Sequence, residues 1–235
     1  MTALKVLSGG AAHGLVDSLS LRFKAETGFD ISGEFGAVGA MADRLRRGQP
    51  ADLVLLTAAL MATLAGETLV VPASIRPVGR VETALAVRAG DPRVSVHDAA
   101  GLRAALLAAD AIFLPDITAS TAGIHVAAVL HKLGIADAVA SRLQVFPNGA
   151  TAMRQLAQSD ARRPIGCTQA TEIITIDGVD LSGALPRGCE LATVYAAGIA
   201  AHAAQAAAAQ ILIELLTAAE SAALRSRAGF LSVSD

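Results

Sequence analysis

Tryptophan is absent from the 235 residues, tyrosine occurs once and phenylalanine six times. The core must therefore be aliphatic, which suits parallel strands covered by Ala/Leu helices. Cysteine occurs only as Cys167 and Cys189. They have neither Cys-x-x-Cys spacing nor a His/Cys cluster, so the pattern of a zinc site is missing. Both read as packing residues, and a single pair leaves a disulfide open. No charge of one sign dominates: 19 Lys plus Arg stand against 21 Asp plus Glu. No basic run exceeds two residues, so the electrostatic footprint of a nucleic-acid binder is lacking. No apolar stretch reaches the roughly 20 residues of a membrane span. The candidate Ala203 to Leu216 is too short and carries Gln205, Gln210 and Glu214. The expectation is a chain with no nucleic-acid partner, no membrane insertion, no metal and no cofactor. From Met1 the sequence passes directly to Lys5-Val6-Leu7, without a basic segment, a long apolar stretch or a small-residue cleavage site. As written this predicts a cytoplasmic location, or a periplasmic one if a leader has been removed.

What is present is an alternation of short apolar runs with helical periodicity, the pattern of an α/β protein with parallel strands. Strands are expected at 4–7, 30–35, 52–56, 84–87, 111–114, 143–146, 165–168 and 195–200. Helices are expected at 12–26, 39–47, 58–64, 96–108, 122–133, 150–158, 203–216 and 218–228. Pro72 to Arg80 and Asp177 to Glu190 interrupt the alternation and read as regions next to crossovers. They predict one lobe of residues 1–82 completed by 196–235, and a second of 83–195. Lobes joined by two crossings have a hinge, and a cleft there is where a ligand is expected.

The chemistry is carried by turns rather than by reactive side chains. Ser8-Gly9-Gly10-Ala11-Ala12-His13 links the first strand to the first helix, and Gly36-Ala37-Val38-Gly39-Ala40-Met41 links the second pair. Such turns leave N–H groups bare at helix N-termini, where the helix dipole also favours an anion. Glycine and methyl-sized neighbours allow close approach. Further along, Pro115-Asp116-Ile117-Thr118-Ala119-Ser120-Thr121 offers three hydroxyls where one helix cap needs one, and the surplus suggests donors to ligand oxygens. Pro147-Asn148-Gly149-Ala150-Thr151 opens another helix. The first turn lacks Gly-x-Gly-x-x-Gly spacing, and neither a P-loop nor a Gly-x-Ser-x-Gly elbow occurs. His97, His125, His131 and His202 have no metal-site spacing. Asp52 reads as a hydrogen-bonding anchor for the turn before it, and Arg44, Arg46 and Arg47 as a solvated face.

The order of elements resembles the type II periplasmic binding protein family, in particular its molybdate-binding members. The likeness runs through Gly9-Gly10-Ala11-Ala12, Thr27-Gly28 and Phe35-Gly36-Ala37-Val38-Gly39-Ala40-Met41. It continues in Gly48-Gln49-Pro50-Ala51-Asp52, Thr121-Ala122-Gly123-Ile124-His125, Leu133-Gly134-Ile135 and Ala228-Gly229-Phe230. It implies a two-lobed α/β fold, mainly parallel sheets flanked by helices, with the ligand cleft at the hinge. Molybdate proteins use hydroxyls of the first two turns and a tyrosine of the second lobe. Here the first turn has Gly10, Ala11 and Ala12 with Ser8 upstream, the second has Val38 and Gly39, and the tyrosine position corresponds to Gln169.

Those departures, with His13, Gln169 and Glu172, suggest a larger ligand bearing carboxylates and hydroxyls. The expected function is binding of a small organic di- or tricarboxylate, ahead of an oxyanion such as molybdate. The expected ligand groups are Ser8, Gly9, Gly10, Ala11, Ala12, Val38, Gly39, Ser120, Thr121, Asn148, Gly149 and Gln169. An ABC permease is an expected partner only if the chain is exported. One branch resembling these proteins is enzymatic, the aconitate isomerases, which shift an allylic proton in a tricarboxylate. Under that alternative the chain is a cytoplasmic isomerase of unsaturated polycarboxylates, with His13 and Glu172 as the acid/base candidates.

Overall fold

Strand and helix alternate along nearly the whole chain in a computed structural model that describes residues 3–233. The first run is β1 (Ala3–Gly9), α1 (His13–Thr27), β2 (Asp30–Gly36), α2 (Val38–Arg46), β3 (Leu53–Thr57), α3 (Ala58–Gly66) and β4 (Arg76–Arg88). There follow α4 (Ala99–Ala108), β5 (Ala111–Pro115), α5 (Thr121–Lys132), α6 (Ala136–Val139), β6 (Leu143–Phe146), α7 (Gly149–Ala157) and β7 (Pro164–Gln169). The chain ends through α8 (Ala170–Ile174), β8 (Val179–Ala184), β9 (Ala192–Ile199), α9 (Ala206–Thr217) and α10 (Ala222–Arg227). Two compact units result, one of Met1–Val81 with Thr193–Asp235, the other of Glu82–Ala192. The chain passes between them inside β4 and at the start of β9.

In the first unit β1 is central, parallel to β2 on one side and to β3 on the other, and β9 runs antiparallel to β3. All five residues of β3 are buried, because helices cover both faces of the sheet. The core is aliphatic, drawn from Leu4, Val6, Leu53, Leu55, Leu15, Leu19, Leu212 and Leu216 among others, with Phe23 and Tyr195 as its largest members. Asp52 is the anchor expected of it. Its buried carboxylate accepts the Lys5 N–H at 2.8 Å and the Gln205 N–H at 2.9 Å, tying the start of β1 to the entry of α9.

In the second unit β5 is parallel to β6 and β7, and β4 is antiparallel to both β7 and β8. Strand alternation sorts this core into two layers. Leu85, Ile112, Leu114, Ile165 and Cys167 form one with residues of α4 and α5, while Ala84, Ala86 and Phe113 form the other with residues of α7 and α8. Both cysteines are buried and free. Burial pushes the Cys167 thiol up to about 12, so it remains protonated and packs as an apolar group.

Two segments differ from the sequence expectation. Pro72 to Arg80 is a short 3-10 turn followed by the first half of β4, and Asp177 to Glu190 contains β8. Pro77, Gly79, Arg76, Arg80 and Glu82 break the apolar run of β4. β8 is half exposed and carries Ser182 and Gly183. Neither presents the apolar signature by which a buried strand is recognised. The short helices α6 and α8 were also not anticipated, since four or five residues are too few to show a helical period.

Candidate functional site

The parallel register pairs Gly9 with Gly36 at the ends of β1 and β2. Both strands stop at the same level, about 4.8 Å apart across the sheet. Their turns therefore open side by side. After β1 the 3-10 turn Gly10–Ala12 runs straight into α1, and neither Gly9 nor Ala12 caps it with a side chain. After β2, Ala37 is the N-cap of α2 and makes no side-chain cap bond. The N–H groups of Gly10 and Ala11 and of Val38, Gly39 and Ala40 open these helical segments and lack a carbonyl one turn earlier. Each helix start is equivalent to about half a positive charge, so two side by side supply about one.

The third turn of this sheet shows the contrast. Thr57 ends β3 and its hydroxyl accepts the Leu60 N–H at 3.3 Å, closing the start of α3 from within.

The surroundings of the bare pair explain its small residues. A Cβ on Gly9 would approach Val38 Cγ1 to 2.8 Å and Tyr195 Cε1 to 3.0 Å, so glycine is required for packing there. Tyr195, the one tyrosine, is buried beneath this turn with its ring edge-on to Phe230. Ser8 is also buried, and its hydroxyl donates to the Gly9 carbonyl at 3.0 Å, so it fixes the turn. His13 is exposed at the start of α1, its ring stacked on Phe35 of β2 with centroids 4.2 Å apart. The imidazole is thereby held against the end of β2.

In the second unit, β5, β6 and β7 end on one edge of their sheet, and each is followed by a helix. Asp116 accepts the Thr118 N–H and hydroxyl, both at 2.7 Å, and the Ala119 N–H at 2.9 Å. These bonds hold the Asp116 carboxylate below the usual range and use the Thr118 hydroxyl. Ser120 and Thr121 keep their hydroxyls, and Ser120, the N-cap of α5, makes no side-chain cap bond. The loop lies tightly on α5: a Cβ on Gly123 would fall on the Asp116 carbonyl and within 2.6 Å of that of Pro115.

The start of α7 is already filled. Asn148 caps it by accepting the Thr151 N–H at 2.8 Å. Glu172, buried in α8, accepts the Thr168 hydroxyl at 2.6 Å and backbone N–H bonds from Gly149, Ala150 and Gln169. A Cβ on Gly149 would coincide with Glu172 Oε2 and Thr168 Oγ1, so glycine makes the room for this carboxyl. Burial pushes Glu172 up from the ordinary carboxyl range, and its hydrogen bonds only partly oppose that. Gln169 is buried as the N-cap of α8. Asn148, Gly149 and Glu172 thus complete one another within the unit. The chain's own carboxyl shows what a helix start of this kind accommodates.

Sequence reading missed Thr168, Asp116 and Tyr195. The first has a signal in the i, i+4 spacing of Thr168 and Glu172. Asp116 two residues before Thr118 is an Asx-turn pattern. For Tyr195, placed by a strand far along the chain, the sequence offers none. Among the described residues no single helix is long and apolar enough to cross a membrane.

Comparison with known proteins places this geometry. An aconitate isomerase of Pseudomonas sp. is 25% identical over 233 residues, covering 94% of this chain and 85% of that one. The periplasmic molybdate-binding protein of Azotobacter vinelandii superposes with a TM-score of 0.79 at 19% identity, over 97% of this chain and 98% of that one. The sulfate-binding protein SubI of Mycobacterium tuberculosis superposes with a TM-score of 0.77 at 18% identity, over 99% and 88%. The sequence pattern of a solute-binding family matches residues 4–231, nearly the full length. With its mainly parallel sheets flanked by helices in two units, the chain belongs to the bacterial extracellular solute-binding proteins.

Proposed function

We propose that the protein binds a small organic di- or tricarboxylate, ahead of an oxyanion such as molybdate, at the bare helix starts that follow β1 and β2. The observation that carries this reading is the juxtaposition of two uncapped helix starts at the paired ends of β1 and β2. The starts of α3, α4 and α7 are closed by Thr57, Asp98 and Asn148. Those of α2 and of the segment leading into α1 lack any side-chain cap and stand next to one another. Uncapped N–H groups gathered at one place call for an anion from outside the chain. In the second unit the corresponding feature is α5, with the hydroxyls of Ser120 and Thr121. Glu172 shows that a carboxyl group fits sterically at a helix start, that of α7. Similarity to molybdate- and sulfate-binding proteins supports the anionic class.

A second reading, isomerisation of an unsaturated polycarboxylate, is favoured by the aconitate isomerase relative and by His13 standing exposed at the same turns. A neutral imidazole there can take a proton from carbon and return it to the allylic position. Glu172, engaged with the start of α7, belongs in this reading to the fold. The test is thermal shift with citrate, cis- and trans-aconitate, molybdate and sulfate, followed by proton NMR of the protein with each aconitate. Stabilisation by the tricarboxylates is expected, about 2.7 kcal/mol at 100 times Kd. Stabilisation by molybdate or sulfate alone would reverse the ligand order. Interconversion of the aconitates, cut about 100-fold in His13→Ala with affinity within a few-fold, would establish the isomerase. Binding without conversion would leave a pure binding protein.

A further inference from the structure

We propose a second ligand site in the second unit, at the edge of its sheet opposite the starts of α5, α7 and α8, taking a small amphipathic anion with a short hydrocarbon body. A cavity of about 350 Å³ opens there, floored by Val87, Ala109, Pro164 and Ile165 and walled by Val94 and Ala105. Val87 is next to last in β4 and Ile165 second in β7, so the position follows from their antiparallel pairing, Ala86 to Gly166. The floor is buried and apolar, whereas the rim carries Arg93, Arg162 and Arg163.

The positive charge at this rim is only partly compensated. Asp91, its one acidic member, is bound to Arg88 at 3.0 Å, and Arg163 reaches Asp110 at 3.2 Å. Arg93 and Arg162 form no direct ion pair among the described residues, although the Arg162 charge also acts on Asp110. The rim is also held in place. The Arg88 guanidinium donates to the carbonyls of Ser159 and Ala161, the latter at 3.3 Å, fixing the loop that presents Arg162. An apolar floor under a few convergent polar groups is the ordinary form of a small-molecule site, and this volume lies at the lower end of the usual range of about 300–1,000 Å³. Two open guanidinium groups select a carboxylate, sulfate or phosphate head, while the floor selects hydrocarbon. A neutral or cationic amphiphile meets only half of these groups. None of the residues belongs to the turns proposed for the carboxylate ligand, so this inference stands independently of that reading.

The test is calorimetric titration of the whole chain with octanoate, with 1-octanol and octylammonium as controls. Octanoate is expected to bind saturably, at least 10-fold more tightly than either control. The exposed double reversal Arg93→Glu/Arg162→Glu is expected to weaken it at least 10-fold without loss of folding, and Ala105→Trp, which fills the cavity, to abolish it. Gly39→Asp, at the other unit's turn, is expected to leave octanoate affinity unchanged. Absence of saturable binding, equal affinity for octanoate and octanol, or loss of octanoate binding in Gly39→Asp would each overturn the proposal.

Discussion

Gly39→Asp is expected to fold as the wild type does and to lose at least 100-fold in affinity for its anion, about 2.8 kcal/mol. The two effects separate because the same carboxylate produces both. Gly39 is the second residue of α2, whose start has no capping side chain. An aspartate there places its charge against the positive end of the helix dipole, which favours the helix by about 0.3–1 kcal/mol. The exchange also removes a glycine from a helix. The variant thus supplies internally the anion that the wild type takes from outside, and it repels any second one. Circular dichroism and thermal melting check the first half, and calorimetry with citrate and trans-aconitate checks the second. A variant with a lowered melting temperature, or with unchanged affinity, would place the site elsewhere.

Gly149→Ala is expected to destabilise the protein by about 3 kcal/mol, with a fall in Tm of about 6–12 °C. Helix propensity alone gives the opposite sign, since alanine is favoured over glycine by up to about 1 kcal/mol in a helix interior. The contacts decide. The new methyl group would fall on the Glu172 carboxyl and the Thr168 hydroxyl, which have no free space to enter. Moving Glu172 away would leave the Gly149, Ala150 and Gln169 N–H groups without their acceptor. A companion variant isolates the charge. The raised native pKa of Glu172 means that the fold holds its proton more tightly than the unfolded chain does. Its contribution to stability is therefore full below the ordinary carboxyl range and is lost as pH rises through the raised value. Glu172→Gln cannot titrate, so this part of the pH dependence should vanish from urea midpoints measured between pH 4 and pH 8. A Gly149→Ala chain as stable as the wild type would show that Glu172 does not occupy the start of α7.

The parts of the fold that were legible are those in which burial and sequence pattern coincide. β3 is apolar from Leu53 to Leu56 because both its faces are covered, and α2 begins after the small residues Gly36 and Ala37 that end β2 and follow it. The first half of β4 was hidden because a strand that starts at Arg76 and passes Pro77, Gly79 and further charged residues lacks such a run, whereas its apolar second half was legible at 84–87. The first two turns were legible as candidate anion sites because bare N–H groups leave a residue signature, namely small side chains and no cap. The state of α7 was not. Its Asn148-Gly149 opening looks like the other turns, and what distinguishes it is a glutamate 23 positions beyond the glycine, brought back by the pairing of β5 with both β6 and β7. Ser8 illustrates the same limit: its hydroxyl serves the adjacent carbonyl, a direction no sequence pattern encodes.

The most direct measurement is an amide ¹H–¹⁵N titration of the whole chain with trans-aconitate and, separately, with molybdate. The account predicts saturable downfield shifts of the N–H groups of Gly10, Ala11 and Val38 to Ala40, with the capped Leu60, Gly101 and Thr151 and the Glu172-bound Ala150 unmoved. Saturation that leaves the first two turns unshifted, or no saturable shift with either anion, would contradict it.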